Sequence, residues 1–577
     1  MRNFSTRSVA LWLALCMASG AALADDSKIS PDLKPLLSNP SNSIHVIVQY
    51  NTPPSQSSNG LLGGLVGGVV NLLGGVLNAV FSLIPAVSAT LHPADIIGVS
   101  NQPNVAYISL DRALNASLDY SAGAVNAPHA WTSGYDGSGI GVAVIDSGIS
   151  AHPDLNAANS NQSRVVYRQS FIGGAQADDF GHGTHVAGIV AGNGSASSKP
   201  GAFRTFKGIA PAANLLDLRV LDRNGASNDS VVIAAIEKAV QLRQKYNVRV
   251  INLSLGRPIY ENCSRDPLCQ AVEAAWNNGI VVVAAAGNLG RNGYGTVLSP
   301  GNSPQAITVG AMKTEATVNR ADDLIASYSS KGPTQFDLTA KPDVVAPGNM
   351  VDSLLAPGST LALEFPGNVV APSAYTTSSA SSSPLYFQLS GTSMATPVVS
   401  GAVALMLDKD PSLSPDNVKA RLMKTASKQF PVASSATDPQ TGKTYVSAYD
   451  MFTVGAGYID IAAAIANYDR VYGSAASPQV FYVPLLQSAF LLPNFAETWW
   501  LSPNWLTTTV WGNSVLVPGP AGVPQIWGSN ASWGTNASWG TNASWGTNAS
   551  WGTNTAWGTN ASWGTNASWG TSGLGEK

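Results

Sequence analysis

Charged residues are scarce in this chain of 577 residues: Asp, Glu, Lys and Arg together make up 11%, and the formal net charge is −3. The sequence lacks the basic footprint that nucleic-acid binding requires, so we expect no nucleic-acid partner. Cysteine is scarcer still, with three residues. The low charge and the many Ser, Thr, Asn and Gly residues are typical of a secreted bacterial protein. A chain of this length is expected to form about two to four structural units.

The N-terminus has the pattern of a secretory signal peptide. Two arginines lie at or beside a short polar start, residues 9–17 form an apolar core, and Ala22 and Ala24 are the small residues at the two positions that a signal peptidase reads. We therefore predict a signal peptide over residues 1–24 and a secreted protein. The alternative is an uncleaved anchor helix, which the shortness of the apolar run disfavours.

Beyond this segment the chain has two cysteines, Cys263 and Cys269. In an oxidising compartment, an even pair that closes a small loop is typical of a disulfide bond. We therefore predict a disulfide between these two residues. Two free thiols are the alternative.

Three short segments rich in small residues carry side chains suited to nucleophilic catalysis. Asp146 lies in Val-Ala-Val-Ile-Asp-Ser-Gly, His182 in Gly-His-Gly-Thr-His-Val-Ala-Gly, and Ser393 in Gly-Thr-Ser-Met-Ala-Thr-Pro. A serine hydroxyl is a weak nucleophile at neutral pH. An imidazole must therefore accept its proton, and a carboxylate must hold that imidazole in the right tautomer. The chain order Asp, His, Ser is the subtilisin order and differs from the orders in chymotrypsin and the α/β-hydrolases.

These motifs resemble those of the subtilases, a family of serine endopeptidases. The resemblance implies hydrolysis of protein or peptide substrates through an acyl-enzyme on Ser393, with His182 as acid and base and Asp146 as its partner. It implies that no cofactor is required for the chemistry and that His185 is a packed neighbour. Asn288, in Ala-Ala-Ala-Gly-Asn, is implied to donate its side-chain amide to the oxyanion, together with the Ser393 backbone amide.

Two further segments resemble those that line the first specificity pocket of the family. Both are small or apolar, and neither carries the carboxylate expected in a pocket for Lys or Arg. We therefore expect broad specificity with a preference for apolar or aromatic residues. The residues are Ser254, Leu255 and Gly256 in the first segment and Ala285, Ala286 and Gly287 in the second.

Subtilases commonly carry structural calcium, and Asp154, in His-Pro-Asp-Leu, matches a position that can bind it. The loop expected to complete such a site, residues 193–207, has no carboxylate. Calcium prefers several oxygen ligands, often charged. Structural calcium is therefore one alternative at Asp154, without clear ligands, and a salt-bridged or turn-capping aspartate is the other.

From about residue 122, continuous apolar runs alternate with helical stretches. Continuous apolar strands are buried on both faces, which indicates a parallel sheet covered by helices. We therefore expect an α/β, subtilisin-like three-layer fold with a mostly parallel central sheet. The predicted strands are 141–145, 214–220, 248–255 and 279–286, and the predicted helices are 230–245, 267–277 and 394–407.

Two predicted strands, residues 43–50 and 104–110, precede this domain and resemble part of the small α+β inhibitor-like propeptide of subtilases. We expect this segment to inhibit the catalytic domain and to be removed by self-cleavage between Asp111 and Ala124. Between the two strands, residues 61–86 are apolar and Gly-rich without a charge. An unusual insertion in the propeptide and a membrane span are the two interpretations of this run.

The C-terminus repeats the hexapeptide Asn-Ala-Ser-Trp-Gly-Thr, with eight Trp-Gly pairs from Trp527 to Trp569. Such a tail is either a low-complexity extension or an element that associates with a membrane or cell surface. The alternative function is a surface-attachment or adhesive protein in which this tail is the main functional element. The predicted organisation is a signal peptide (1–24), an inhibitor-like propeptide (25–118), a catalytic domain (119–472), a Pro- and Trp-rich linker (473–526) and the repeat tail (527–577).

Overall fold

The computed structural model describes residues 25–30, 33–41, 43–51, 76–80, 85–110, 118–174, 176–377, 383–438, 442–483, 488–492 and 510–511. The predicted signal peptide, the repeat tail and most of the apolar run 61–86 lie outside these ranges. The chain divides into two compact units, Met1–Leu114 and Asn115–Lys577. Within the described ranges, no helix combines the length and the hydropathy that a membrane span needs.

The first unit contains a four-stranded antiparallel sheet. Its elements are β1 (Ile44–Tyr50), β2 (Val76–Val80), β3 (Ala86–Leu91), α1 (Pro93–Ser100) and β4 (Val105–Leu110). The strand order is β2-β3-β1-β4. Alternate residues of β1 (Ile44, Val46 and Val48) are buried in a core shared with α1, as expected of a strand with one face on a core. Both predicted strands are confirmed, and residues 76–80 of the apolar run form strand β2.

The second unit is built on an eight-stranded sheet. Its strands are β5 (Gly141–Asp146), β6 (Val165–Ser170), β7 (Asn214–Arg219), β8 (Val248–Leu253), β9 (Val281–Ala285), β10 (Ile307–Lys313), β11 (Leu324–Ile325) and β12 (Val344–Pro347). The order is β11-β10-β9-β8-β5-β7-β6, with β12 also beside β10. Every pairing is parallel except that of β10 with β11. All residues of β5, β9 and β10 are buried, which a parallel sheet covered on both faces requires.

Two pairs of helices cover this sheet. The described helices of the unit are α2 (Leu118–Ala124), α3 (Ala127–Thr132), α4 (His182–Ala191), α5 (Asp229–Tyr246), α6 (Pro267–Asn277), α7 (Thr360–Glu364), α8 (Thr392–Lys409), α9 (Pro415–Thr425) and α10 (Ile461–Ala466). Helix α8 packs against α4 and against β8, β9 and β10, while α5 packs against α6, β5 and β8. The predicted three-layer α/β fold with a mostly parallel sheet is therefore confirmed.

Three smaller antiparallel sheets complete the unit. Their strands are β13 (Val351–Leu354), β14 (Val369–Val370) and β15 (Tyr386–Leu389) in the first, β16 (Ala433–Thr437) and β17 (Thr444–Ala448) in the second, and β18 (Gln479–Val483) and β19 (Ser488–Leu492) in the third. Strand β13 packs against α4. The first of these sheets therefore supports the helix that begins with His182.

The second unit continues past residue 472, where we predicted the catalytic domain to end. Side chains of the β18–β19 hairpin, such as Val480 and Leu491, belong to the same hydrophobic cluster as the central sheet. Asp343, which is fully buried, pairs with Lys341 at 2.7 Å and Lys419 at 3.2 Å, and it accepts a hydrogen bond from the Ser477 hydroxyl. A buried charge cluster is costly unless all its members are paired. Residues beyond 472 therefore share the buried core and the charge cluster of the second unit.

Candidate active site

The carboxyl ends of three neighbouring parallel strands bring the predicted site residues to one edge of the sheet. Asp146 is the last residue of β5, Ser254 follows β8, and Asn288 lies just beyond β9. His182 begins α4 and Ser393 is the second residue of α8, and these two helices pack together. Open α/β sheets place their functional sites at this edge.

His182 and Asp146 form a buried hydrogen-bonded pair. The His182 Nδ1 and Asp146 Oδ1 atoms are 2.7 Å apart, and the two residues are 2% and 1% exposed. Because a carboxylate can only accept a hydrogen bond, Nδ1 carries the hydrogen and the lone pair lies on Nε2. Among the described residues, Nε2 has no hydrogen-bond partner. The imidazole is therefore set to accept a proton at Nε2.

The electrostatic surroundings separate His182 from the second histidine of its helix. Burial acts to lower the pKa of His182, but the charge and hydrogen bond of Asp146 outweigh it and leave that pKa above its usual value. Burial lowers the pKa of His185 to about 3. The His185 Nε2 is 3.0 Å from the carbonyl oxygens of both Val351 and Phe387. His185 is therefore neutral at physiological pH and fixes α4 to the neighbouring sheet.

Ser393 lies in the first turn of α8. Its hydroxyl donates to the carbonyl oxygen of Ser254 at 3.1 Å, and the Ser254 hydroxyl donates to the Ser393 carbonyl oxygen at 2.8 Å. The hydroxyl of the nucleophile candidate is therefore bonded to the backbone of Ser254 and not to His182. Backbone N–H groups in the first turn of a helix lack intrahelical acceptors, and the helix dipole gives this end partial positive charge. The Ser393 amide is thus suited to bind an anion.

Asn288 is held in one orientation by Thr392, a residue that sequence reasoning did not single out. Its side-chain oxygen accepts hydrogen bonds from the Thr392 backbone N–H at 2.9 Å and from the Thr392 hydroxyl at 3.1 Å. The same hydroxyl accepts from the Gly287 N–H at 3.1 Å. Because a backbone N–H can only donate, the amide oxygen must face Thr392, and the amide nitrogen is left to donate elsewhere. The sequence feature that could have indicated this role is the position of Thr392 directly before Ser393 in the Gly-Thr-Ser motif.

The two predicted pocket segments follow adjacent strands. Ser254, Leu255 and Gly256 extend beyond β8, and Ala285, Ala286 and Gly287 run from the last residue of β9. A Cβ on Gly256 would lie 3.1 Å from the Leu298 Cβ, and one on Gly287 would lie 2.7 Å from the Leu298 Cγ. Leu298 therefore borders both segments and adds an apolar side chain that the sequence did not indicate.

The loop after the first pocket segment contains a disulfide. Cys263 and Cys269 are bonded, with their Cα atoms 5.3 Å apart. Asp266, between them, accepts from two backbone N–H groups at the start of α6 and pairs with Arg257 at 2.8 Å. Arg257 also pairs with Asp229 at 2.9 Å. These contacts attach the loop to both α5 and α6.

Asp154 does not fit a calcium site in this structure. Its carboxylate is buried and already accepts hydrogen bonds from the Ala196 N–H at 2.7 Å, the Ser195 hydroxyl at 3.1 Å and the Tyr386 hydroxyl at 2.7 Å. Calcium requires several oxygen ligands, often charged, and these neighbours present hydrogen-bond donors to the carboxylate. Asp154 instead caps the turn at residues 195–197. No ligand set for a metal at this position emerges from the described residues.

Comparison with known proteins identifies the family of this chain. Residues 137–456 match the family model described as the subtilase family. The chain is 37% identical over 350 residues to serine protease AprX of Bacillus subtilis (strain 168), which covers 59% of this chain and 74% of that protein. It is 34% identical over 351 residues to an alkaline protease of Shouchella clausii, a match that covers 60% of this chain and 75% of that protein. It is 35% identical over 351 residues to subtilisin E of Bacillus subtilis (strain 168), a match that covers 60% of this chain and 76% of that protein. The chain therefore belongs to the subtilase family and is a serine-type endopeptidase.

Proposed function

We propose that the protein is a secreted endopeptidase that cleaves peptide bonds with Asp146, His182 and Ser393 as its catalytic triad. The observation that carries this proposal is the buried 2.7 Å bond between His182 and Asp146, because it leaves the His182 Nε2 as the basic atom. The position of Ser393 in the first turn of a helix that packs against the His182 helix supports its role as nucleophile.

In the proposed reaction, the Ser393 hydroxyl oxygen attacks the carbonyl carbon of the scissile bond and its proton passes to the His182 Nε2. The oxyanion of the tetrahedral intermediate accepts hydrogen bonds from the Asn288 side-chain amide and the Ser393 backbone amide. The intermediate collapses when His182 returns the proton to the leaving amine, which gives an acyl-enzyme. Water then hydrolyses the acyl-enzyme, with His182 again as base. Asp146 stabilises the imidazolium in both steps.

We further propose a preference for apolar or aromatic side chains on the acyl side of the scissile bond. The two pocket segments are small or apolar, and Leu298 borders both of them. A pocket without a carboxylate gives Lys or Arg no counter-charge, and burying an unpaired charge is costly. Large uncharged side chains are therefore the better substrates.

The precursor is proposed to process itself, with residues 25–118 as its inhibitor-like propeptide. The antiparallel sheet of the first unit supports a separately folded segment. We expect the secreted mature protein to begin between Asp111 and Ala124, a window that lies partly outside the described residues. N-terminal sequencing of the secreted form measures this directly.

The matched comparison for this experiment is the Ser393→Ala precursor, which we expect to keep its propeptide because self-cleavage needs the nucleophile. Co-expression with active enzyme distinguishes cleavage between molecules from a defect in folding. A mature protein that begins at Asp25 would contradict the proposal. So would normal processing of the Ser393→Ala precursor in a host without other proteases.

The repeat tail, residues 527–577, lies outside the described residues and is proposed to be a noncatalytic attachment element. Its eight Trp-Gly pairs at a fixed spacing of six supply repeated aromatic groups, and large exposed apolar surfaces usually mark interaction sites. Attachment to a cell surface or membrane would use them. An adhesive role is compatible with the peptidase role, because the two are assigned to different parts of the chain.

A further inference from the structure

Asp178, four residues before His182, is the centre of a buried hydrogen-bond network that neither the motifs nor the proposed mechanism includes. It is 4% exposed, and its carboxylate accepts four hydrogen bonds. Two come from the backbone N–H groups of Gly181 and Thr184, each at 2.7 Å. The other two come from the hydroxyls of Thr184 at 2.6 Å and Ser147 at 2.7 Å. The donors thus lie on both sides of His182 and next to Asp146.

Ser147 connects this network to the carboxylate of Asp146. Its backbone N–H donates to Asp146 Oδ1 at 2.7 Å, and this oxygen is the one bonded to His182. The Ser147 hydroxyl donates to Asp178 and accepts from the Gly183 N–H at 2.8 Å. The loop after β5 and the start of α4 are therefore joined through a single buried carboxylate.

The loop after β5 and the start of α4 approach each other so closely that their relative position is restricted. A Cβ on Gly183 would overlap the carbonyl oxygen of Gly148 and lie 3.2 Å from the Cβ of Asp146. Such contact permits one arrangement of the backbones, and the hydrogen bonds of Asp178 and Ser147 select it. The distance between His182 and Asp146 depends on that arrangement.

Capping of the helix does not account for all these contacts. The residue at the N-cap of α4 is Gly181, which has no side chain to bond the first turn. The bonds of Asp178 to Gly181 and Thr184 would be enough to replace that cap. Its bond to Ser147 reaches a different strand–loop segment, and through the Ser147 hydroxyl it joins that segment to the Gly183 N–H in the first turn of the helix.

We propose that Asp178 is a positioning residue that fixes Asp146 and His182 relative to each other, an inference that rests on the proposed triad. Asp178 touches neither substrate nor the reacting atoms in this proposal and acts through Ser147 and the first turn of α4. A misplacement of about 1 Å in catalytic groups can cost about 100-fold in rate. Loss of the network therefore lowers turnover more than it lowers substrate binding.

The negative charge of Asp178 also acts on His182. Burial raises the pKa of Asp178, while its four hydrogen bonds oppose that change, and the charged form of Asp178 raises the pKa of His182. His182 must be neutral to act as base, so a lower His182 pKa extends activity to lower pH. Other charged or titratable groups that face Asp178 and His182 include Asp146, His185, Asp217 with its partner Arg168, and Asp179 with its partner Arg219.

The test compares Asp178→Asn with Asp179→Asn in the full-length, self-processed enzyme. Asp179→Asn is the matched control because it removes the same charge from the same loop. The Asp179 side chain differs from that of Asp178 because it is 51% exposed and pairs with Arg219. We expect Asp178→Asn to lower kcat by about 10- to 100-fold with a smaller change in KM. We also expect the acid limb of its kcat/KM profile to move to lower pH. Asp179→Asn should stay within about twofold of the wild type in kcat, with its acid limb unmoved.

Turnover is expressed per titrated active site, so that a loss of folded protein is not counted as a loss of rate. If Asp178→Asn yields no folded enzyme, Ser147→Ala supplies the test. It removes the hydroxyl that joins Asp178 and the Gly183 N–H to the loop of Asp146, and it keeps the charge of Asp178. It should lower kcat without moving the acid limb. Unchanged kcat per active site in the variant tested would overturn the positioning role. If the Ser393→Ala variant kept the activity of the wild type, the proposed triad would be overturned instead. The two failures are therefore distinguishable.

Discussion

Replacement of Ser393 by alanine is expected to lower kcat on a peptide substrate by about 10⁶-fold, the effect of removing the nucleophile in the related subtilisin. The expected loss is this large because the variant has no atom to form the acyl-enzyme. Its residual activity, about 10³-fold above that of water, would come from the oxyanion donors and substrate binding. The measurement is hydrolysis of a chromogenic peptide with an apolar residue before the scissile bond.

The control for this variant is Ser412→Ala, which changes an exposed serine just beyond the end of the same helix. It should keep the wild-type rate. Because the Ser393→Ala precursor is not expected to process itself, it must first be cleaved by added active enzyme that is then inhibited. A processed Ser393→Ala protein with a rate near that of the wild type would remove Ser393 from the mechanism.

Replacement of Asp146 by asparagine is expected to lower kcat by about 10⁴-fold. The carboxylate now accepts from the His182 Nδ1 at 2.7 Å. In the variant an amide N–H can face Nδ1, which then becomes the acceptor and places the hydrogen on Nε2. The Ser393 hydroxyl would then meet a donor where it needs a base. The measurement is kcat per titrated active site at neutral pH.

The matched control for that variant is Asp154→Asn. Asp154 is also buried and its carboxylate also accepts several hydrogen bonds, but it is not bonded to His182. Asp154→Asn is expected to lower the melting temperature and to keep kcat per active site within about tenfold of the wild type, because it acts on folding. Equal losses of kcat in the two variants would show that any buried aspartate has this effect.

The central sheet could be predicted where its strands are continuous apolar runs. Strands β5 and β9 are closest to that composition and lie where we expected them. Strands β7 and β8 also lie where we expected them, although β7 contains Asp217 and Arg219 and β8 contains Arg249. Strand β6, Val-Val-Tyr-Arg-Gln-Ser, is at the edge of the sheet and only partly buried, so its polar residues gave no such signal. Strands β11 and β12 have two and four residues, which is too short for any periodicity to be visible.

The site could be predicted as far as the local motifs reach. Asp146, His182, Ser393 and Asn288 each stand in a recognisable segment, and the fold brings all four to one edge of the sheet. The roles of their neighbours depend on contacts between distant parts of the chain, which local patterns do not encode. Asp178, one of two consecutive aspartates, had no feature in the sequence to distinguish it from the exposed residue beside it.

The contacts of the segment after residue 472 also depend on distant parts of the chain. Ser477 bonds to Asp343, which is 134 residues earlier in the chain, and two buried lysines complete the cluster. A Pro-rich segment with isolated apolar residues is typical of a linker when it is considered alone. Its contacts with the second unit come from the buried charges that it helps to pair and from the apolar side chains that it adds to the core.

The most direct test of the triad is the site at which a phosphonyl fluoride modifies the mature enzyme. We predict one adduct per chain, located by peptide mass mapping on Ser393, with modification and loss of activity proceeding at the same rate. Ser393→Ala should take up no reagent, and Asp146→Asn should react far more slowly because its imidazole is in the wrong tautomer. Complete inactivation with Ser393 unmodified, or with the adduct on another residue, would contradict the assignment of Ser393 as the nucleophile.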